Sequence, residues 1–87
     1  MVQKEFIINN KLGLHARPAA MFVKVSSRFA SEIWVEKDDE QVNGKSIMGL
    51  MMLAAGEGSR VLVTAKGEDA EEAIEGIEAL IISGFEE

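Results

Sequence analysis

The chain has 87 residues, a single histidine and no cysteine, which excludes disulfide scaffolds and cysteine nucleophiles and argues against a structural zinc site. Its 15 acidic and 9 basic residues give a formal net charge of −6, which disfavours direct binding of nucleic acid through backbone phosphates. Residues 1–5 lack the apolar core that a signal peptide requires, so we expect none, and the longest apolar runs are too short to span a membrane. We therefore expect a cytoplasmic protein without membrane insertion, forming a single domain over residues 1–87.

Hydrophobic periodicity predicts seven elements in the order β-α-β-β-α-β-α. Alternation over residues 2–9 indicates a first strand with Phe6 and Ile8 facing the core. The spacing of apolar residues then indicates an amphipathic helix over residues 16–27. A second strand at residues 31–37 and a short return strand form a hairpin, and the charges in its turn favour a place at the edge of the sheet.

In the second half, Ser46 is the expected N-cap of a short apolar helix over residues 47–53, and alternation predicts a strand at residues 60–66. Asp69, followed three positions later by Glu72, predicts a capping box at the start of the last helix. That helix has its apolar residues at helical spacing: Ala70, Ala73, Ile74, Ile77, Leu80 and Ile81. The order favours an α/β (α+β) fold, an open-faced β-sandwich of one four-stranded antiparallel sheet with three helices on one face.

The chemistry of the chain is concentrated where its only histidine and only proline lie three positions apart. Pro18 is favoured in the first turn of a helix, and Gly13 permits a tight approach to it, so His15 should lie at the helix N-terminus. There the N–H groups of Ala16 and Arg17 would face an anion, and the Arg17 guanidinium adds positive charge. Most single histidines in small domains are structural, but this combination predicts a histidine that handles phosphate.

No second catalytic group accompanies this histidine. The glycine segment at residues 56–58 lacks the third glycine of a dinucleotide fingerprint and the lysine of a phosphate-binding loop. A lone nucleophilic histidine is typical of a carrier rather than an enzyme, and we expect neither a metal nor another cofactor. Two alternatives remain open: a regulatory module that acts only by docking, and a ferredoxin-like nucleic-acid-binding domain, which the charge disfavours.

Ser46 and the helix after it have both a structural and a functional interpretation. A serine N-cap is common and needs no further role. Phosphorylation at this serine would change the local charge by about −2, which would make it a switch. The short helix cannot bury all of its apolar side chains, so Ile47, Met48 and Met51 are predicted to form a docking surface for partners.

Residues 13–20 (GLHARPAA) and 45–51 (KSIMGLM) resemble the two signature segments of the HPr family, the histidine phosphocarriers of the phosphoenolpyruvate-dependent sugar phosphotransferase system. The resemblance extends over the whole chain. It implies that His15 is phosphorylated on Nδ1 by phosphorylated Enzyme I and then donates to Enzyme IIA domains. It also implies that Arg17 and the backbone amides of Ala16 and Arg17 hold the phosphoryl group.

The resemblance further implies that Ser46 corresponds to the serine that an ATP-dependent HPr kinase/phosphorylase modifies in many bacteria. In some of them the modified form is corepressor to a catabolite-control transcription factor. Residues 50–53 and 83–87 resemble the nitrogen-related phosphocarriers, whereas residues 45–49 resemble the kinase-regulated sugar type. The paralogue without the active histidine is excluded because His15 is present. We expect a monomer.

Overall fold

The computed structural model describes residues 1–86 of the chain. Its strands and α-helices follow the predicted order, and a short 3-10 helix closes the chain at Gly84–Glu86. The elements are β1 (Val2–Ile7), α1 (Ala16–Ser26), β2 (Glu32–Lys37), β3 (Glu40–Asn43), α2 (Ile47–Met52), β4 (Arg60–Lys66) and α3 (Ala70–Ile82). The prediction for the C-terminal segment 83–87 includes Glu87, which lies outside the described residues. Within residues 1–86, every helix is too short or too polar to cross a bilayer.

The four strands form one antiparallel sheet in the order β1-β4-β2-β3. Of the predicted hairpin, β3 lies at the sheet edge as expected, while β2 is interior because β4 pairs with its other side. The hairpin turn places Asp38 and Asp39 at φ values of 50° and 68°. Two successive residues with positive φ are what a two-residue turn needs to match the twist of its strands.

The core lies between one face of this sheet and the helices, as predicted. The strands contribute alternate residues that are at most 7% exposed: Phe6, Ile33, Val35, Val61, Val63 and Ala65. All six predicted apolar positions of α3 are buried, and α3 packs on β1 and β4. The opposite sheet face carries Trp34 beside Thr64, whose hydroxyl accepts a hydrogen bond from Gln3. The open-faced sandwich is therefore confirmed.

Asp69 precedes α3, but the predicted capping box does not form. Its side chain makes no cap bond; the carboxylate instead accepts the backbone N–H groups of Ala30 (2.8 Å) and Ser31 (2.9 Å) and the Ser31 hydroxyl. The Ser31 hydroxyl, followed by the Ala30 amide, holds the pKa of Asp69 below its usual value. The prediction was wrong because the loop between α1 and β2 presents three donors to this carboxylate, which ties the loop to the start of α3.

Candidate functional site

His15 is the N-cap of α1, with extended backbone angles (φ −77°, ψ −171°) and a carbonyl that accepts the Ala19 N–H at 2.9 Å. The next two residues, Ala16 and Arg17, lie in the first turn, where amides have no partner within the helix. Pro18 follows at a position where its missing N–H breaks no helical bond. The structure thus confirms that His15 lies at the helix N-terminus, where it is half-buried and is followed by the two amides and by the exposed Arg17 side chain. That these groups hold phosphate stays a prediction.

The segment before His15 rests on the loop between α2 and β4. Gly13 has a φ of +68°, and a Cβ added there would lie 2.2 Å from the carbonyl oxygen of Ala55. Leu14, which is buried, donates its N–H to the same oxygen at 2.9 Å. Only glycine permits this approach, so Gly13 is required both for its backbone angle and for the space it leaves.

A second set of hydrogen bonds closes the segment from inside. The Asn10 side-chain Nδ2 donates to the Gly13 carbonyl at 2.8 Å, and the Gly13 N–H donates to the Asn10 carbonyl at 3.1 Å. The His15 N–H also donates to the Gly13 carbonyl, at 2.9 Å. In the sequence Asn10 is only part of a loop; the signal for its role is an asparagine three residues before a glycine, since asparagine side chains in turns bond to nearby backbone.

The short helix α2 divides its apolar residues between the core and solvent. Leu50 is fully buried and Leu53, just after the helix, is 3% exposed, so these two attach the helix to the core. Four other side chains remain between 41% and 73% exposed and form what we call the methionine face: Ile47, Met48, Met51 and Met52. The structure confirms that Ile47, Met48 and Met51 are exposed and adds Met52. Their docking role stays a prediction.

A shallow cavity of about 240 Å³ is shared by His15 and by Met51 of the methionine face. Besides His15 it is lined by Met51 and by residues of two loops: Leu12, Leu14, Ala54, Ala55 and Gly56. Leu12 is 69% exposed and was missed in the sequence, although a leucine within a polar loop is itself a signal. The imidazole thus borders an apolar notch.

Ser46 is the N-cap of α2, as predicted, because its hydroxyl oxygen accepts the Gly49 N–H at 3.0 Å. The loop that carries it is attached to α1, where the buried Ser26 hydroxyl donates to the Gly44 carbonyl at 2.8 Å. The neighbouring Lys45 ammonium donates to the Phe29 carbonyl at 2.7 Å. The cap bond gives the Ser46 side chain a structural role, and the residue is half-buried, so it remains accessible in part.

Within residues 1–86, no three carboxylates or imidazoles are grouped so that they could hold a metal ion. The site therefore consists of an imidazole, two helix amides and a guanidinium next to exposed apolar side chains. Such a site can bind a phosphoryl group and present it to another protein.

Comparison with protein families matches residues 2–83 to the family described as "PTS HPr component phosphorylation site". The chain is 52% identical over 81 residues to the HPr-like protein Crh of Halalkalibacterium halodurans, covering 93% of this chain and 96% of that one. It is 48% identical over 87 residues to the phosphocarrier protein HPr of Neisseria meningitidis, covering 100% and 98%. The crystal structure of HPr-C-His from Thermoanaerobacter tengcongensis matches with a TM-score of 0.97 at 53% identity, over 100% of this chain and 98% of that one.

Proposed function

The chain belongs to the HPr family of phosphotransferase-system proteins, and we propose that it accepts a phosphoryl group on His15 from phosphorylated Enzyme I and donates it to Enzyme IIA domains. Members of this family are phosphoryl carriers without independent turnover. The observation that carries the proposal is the place of His15, at the N-cap of α1 beside two amides and Arg17. We further propose that residues 1–87 act as one cytoplasmic, monomeric domain.

In the proposed transfer, the Nδ1 lone pair of the neutral His15 imidazole attacks phosphorus. A nitrogen–phosphorus bond forms while the bond from phosphorus to the donor breaks, and the donor keeps that electron pair. The amides of Ala16 and Arg17 and the Arg17 guanidinium then compensate the charge of the phosphoryl oxygens. In donation to Enzyme IIA, a nucleophile of that protein attacks phosphorus, the nitrogen–phosphorus bond breaks, and His15 keeps that electron pair.

A carrier must dock on at least two different proteins and leave each of them. The methionine face suits this requirement, because unbranched, polarisable side chains adapt to surfaces of different shape. It lies next to His15 through the cavity that Met51 shares with the imidazole. We therefore assign docking to Ile47, Met48 and Met51, together with Met52 and Leu12.

Phosphorylation with Enzyme I and phosphoenolpyruvate tests this function. The parent should gain an acid-labile, alkali-stable phosphoryl group, and His15→Ala should gain none. Arg17→Ala should be labelled more slowly, because only the amides then stabilise the phosphoryl oxygens. If His15→Ala were labelled as well as the parent, the assignment of His15 would be wrong.

We also propose that Ser46 is phosphorylated by an HPr kinase/phosphorylase and that this modification inhibits transfer and favours binding to a transcription regulator. The hydroxyl stands at the edge of the methionine face, so a charge of about −2 there would oppose docking of apolar surface. Ser46→Asp should slow phosphorylation by Enzyme I.

Ser46→Ala is the matched control for that variant, because it removes the cap without adding charge. It should lower stability by about 1 kcal/mol and leave the transfer rate close to that of the parent. Equal slowing in both variants would mean that the lost cap, and not the charge, affects docking.

A regulatory role is the second candidate: a nitrogen-related phosphocarrier or a docking module that controls target proteins. The identity to a Crh protein, 52%, is as high as the identity to HPr phosphocarriers, which keeps this candidate in place. A pure docking module would bind its targets equally well after His15→Ala, whereas a phosphorylation-controlled regulator would lose the difference between its two forms. Binding measured with both forms of the parent separates the two.

A further inference from the structure

Asn10 is a buried polar residue, 5% exposed, in the loop between β1 and α1. Its side-chain Nδ2 and its backbone carbonyl both bond to Gly13, at 2.8 Å and 3.1 Å, so residues 10–13 form a closed turn. Burying a side-chain amide costs free energy, because its polar atoms lose their hydration, so a buried amide is expected to make hydrogen bonds. The position of the turn relative to the helix start explains what the amide does.

The carbonyl of Gly13 connects this turn to His15. It accepts the Asn10 Nδ2–H and also the N–H of His15, at 2.9 Å. On the other side, the Gly13 backbone lies against the Ala55 carbonyl, which the Leu14 N–H also contacts. The peptide group between Gly13 and Leu14 is thus held from two sides: its carbonyl accepts from Asn10, and its N–H donates to Ala55.

From this geometry we propose that Asn10 is a positioning residue for phosphoryl transfer. By donating to the Gly13 carbonyl it fixes the backbone of His15, and hence the direction of the imidazole relative to the amides of Ala16 and Arg17. The inference rests on the proposed function of His15. It adds a residue that does not touch the phosphoryl group and acts through the backbone of the one that does.

Two substitutions remove the donor in different ways. Asn10→Asp keeps the size of the side chain and replaces the NH₂ by an oxygen that repels the Gly13 carbonyl, whereas Asn10→Ala removes the side chain. Asn9→Asp and Asn9→Ala are matched controls, because Asn9 is adjacent and exposed. The measurements are kcat and KM for labelling by phosphorylated Enzyme I, well below the unfolding temperature of each variant.

We expect both Asn10 variants to lower kcat about threefold to tenfold with KM unchanged, because the methionine face is intact and one neutral hydrogen bond is lost. NMR supplies a readout that a loss of global stability would not change. On phosphorylation, the amide shifts of Ala16 and Arg17 should be smaller in both Asn10 variants than in the parent. Both Asn9 controls should match the parent in rate and shifts.

Rates and amide shifts equal to those of the Asn9 controls would overturn the proposal. A loss in Asn10→Ala together with parental behaviour in Asn10→Asp would overturn it as well, because the donor would then be irrelevant. Failure of the proposed function is a separate result: the parent itself would not be labelled on His15, before any Asn10 variant is compared.

Discussion

Replacing Gly13 with alanine should destabilise the fold through two separable effects. The first is conformational: a φ of +68° lies in the left-handed region, which disfavours a residue with a Cβ by about 1–2 kcal/mol. The second is steric, since the new Cβ would lie 2.2 Å from the Ala55 carbonyl oxygen and 2.6 Å from the Gly56 Cα. Both neighbours are backbone atoms, so the loop between α2 and β4 has to move.

Displacing a packed segment in this way costs about 1–3 kcal/mol, by analogy with overpacked cores. Together the two effects amount to about 2–5 kcal/mol, a large part of the stability expected for a small domain. For a chain of this length each kcal/mol lowers the unfolding temperature by about 4–8 °C. Gly13→Ala should therefore unfold roughly 8–40 °C below the parent.

Two other glycines provide the controls for thermal and urea unfolding followed by circular dichroism. A Cβ at Gly58 would have no heavy atom within 4 Å, but its φ is +86°, so Gly58→Ala should show the conformational effect alone. Gly56 has an equally open environment without a left-handed φ, and Gly56→Ala should be close to neutral. Equal unfolding midpoints for Gly13→Ala and Gly58→Ala would refute the steric contact with Ala55.

Three further predictions concern the rest of the fold. The hydrogen bonds to Asp69 lower its pKa in the folded protein. They therefore stabilise the fold above the pKa of the unfolded chain, about 3.9, and this stabilisation is lost as the pH falls through the lower pKa of the folded protein. The urea midpoints of the parent and Asp69→Ala should therefore differ by a constant amount above about pH 5 and converge in more acidic solution. Ser26→Ala should cost about 1–3 kcal/mol in urea unfolding, because it leaves the buried Gly44 carbonyl without its donor, while the exposed Ser27→Ala should stay within about 0.5 kcal/mol of the parent. Light scattering should give the 9.5 kDa mass of a monomer, and twice that mass would contradict the prediction.

The parts of the structure that could be predicted from the sequence depend on nearby residues. Strand alternation, helical spacing, and turn or cap residues predict the four strands and three α-helices, because burial of one face imposes a period that a short window reveals, whereas the 3-10 helix Gly84–Glu86 is not predicted. Pro18 located the start of α1 and therefore the surroundings of His15. Ser46 was recognised as a cap for the same reason, since its bond to Gly49 spans one helical turn.

The parts that could not be predicted depend on which distant segment of the chain forms a hydrogen bond or contact with a given side chain or backbone group. Asp69 and Glu72 have the spacing of a capping box, yet the carboxylate of Asp69 binds residues that are far away in the sequence. The contact between Gly13 and Ala55 is of the same kind. A local motif states which bonds a side chain is able to make, and the tertiary structure decides which of them form.

The solvent exposure of the groups next to His15 fits the proposed role of a carrier. A phosphoryl group held in a buried pocket would be received readily and donated slowly, because tight binding of the intermediate raises the barrier to the next step. Here the only side-chain cation next to His15 in sequence is the exposed Arg17, where solvent weakens the interaction of charges. The His15 segment is instead held through its backbone, by the contacts of Gly13 with Asn10 on one side and Ala55 on the other. In the proposed transfer, a firmly placed His15 backbone with exposed charges would leave each partner protein to supply the remaining stabilisation in its own step.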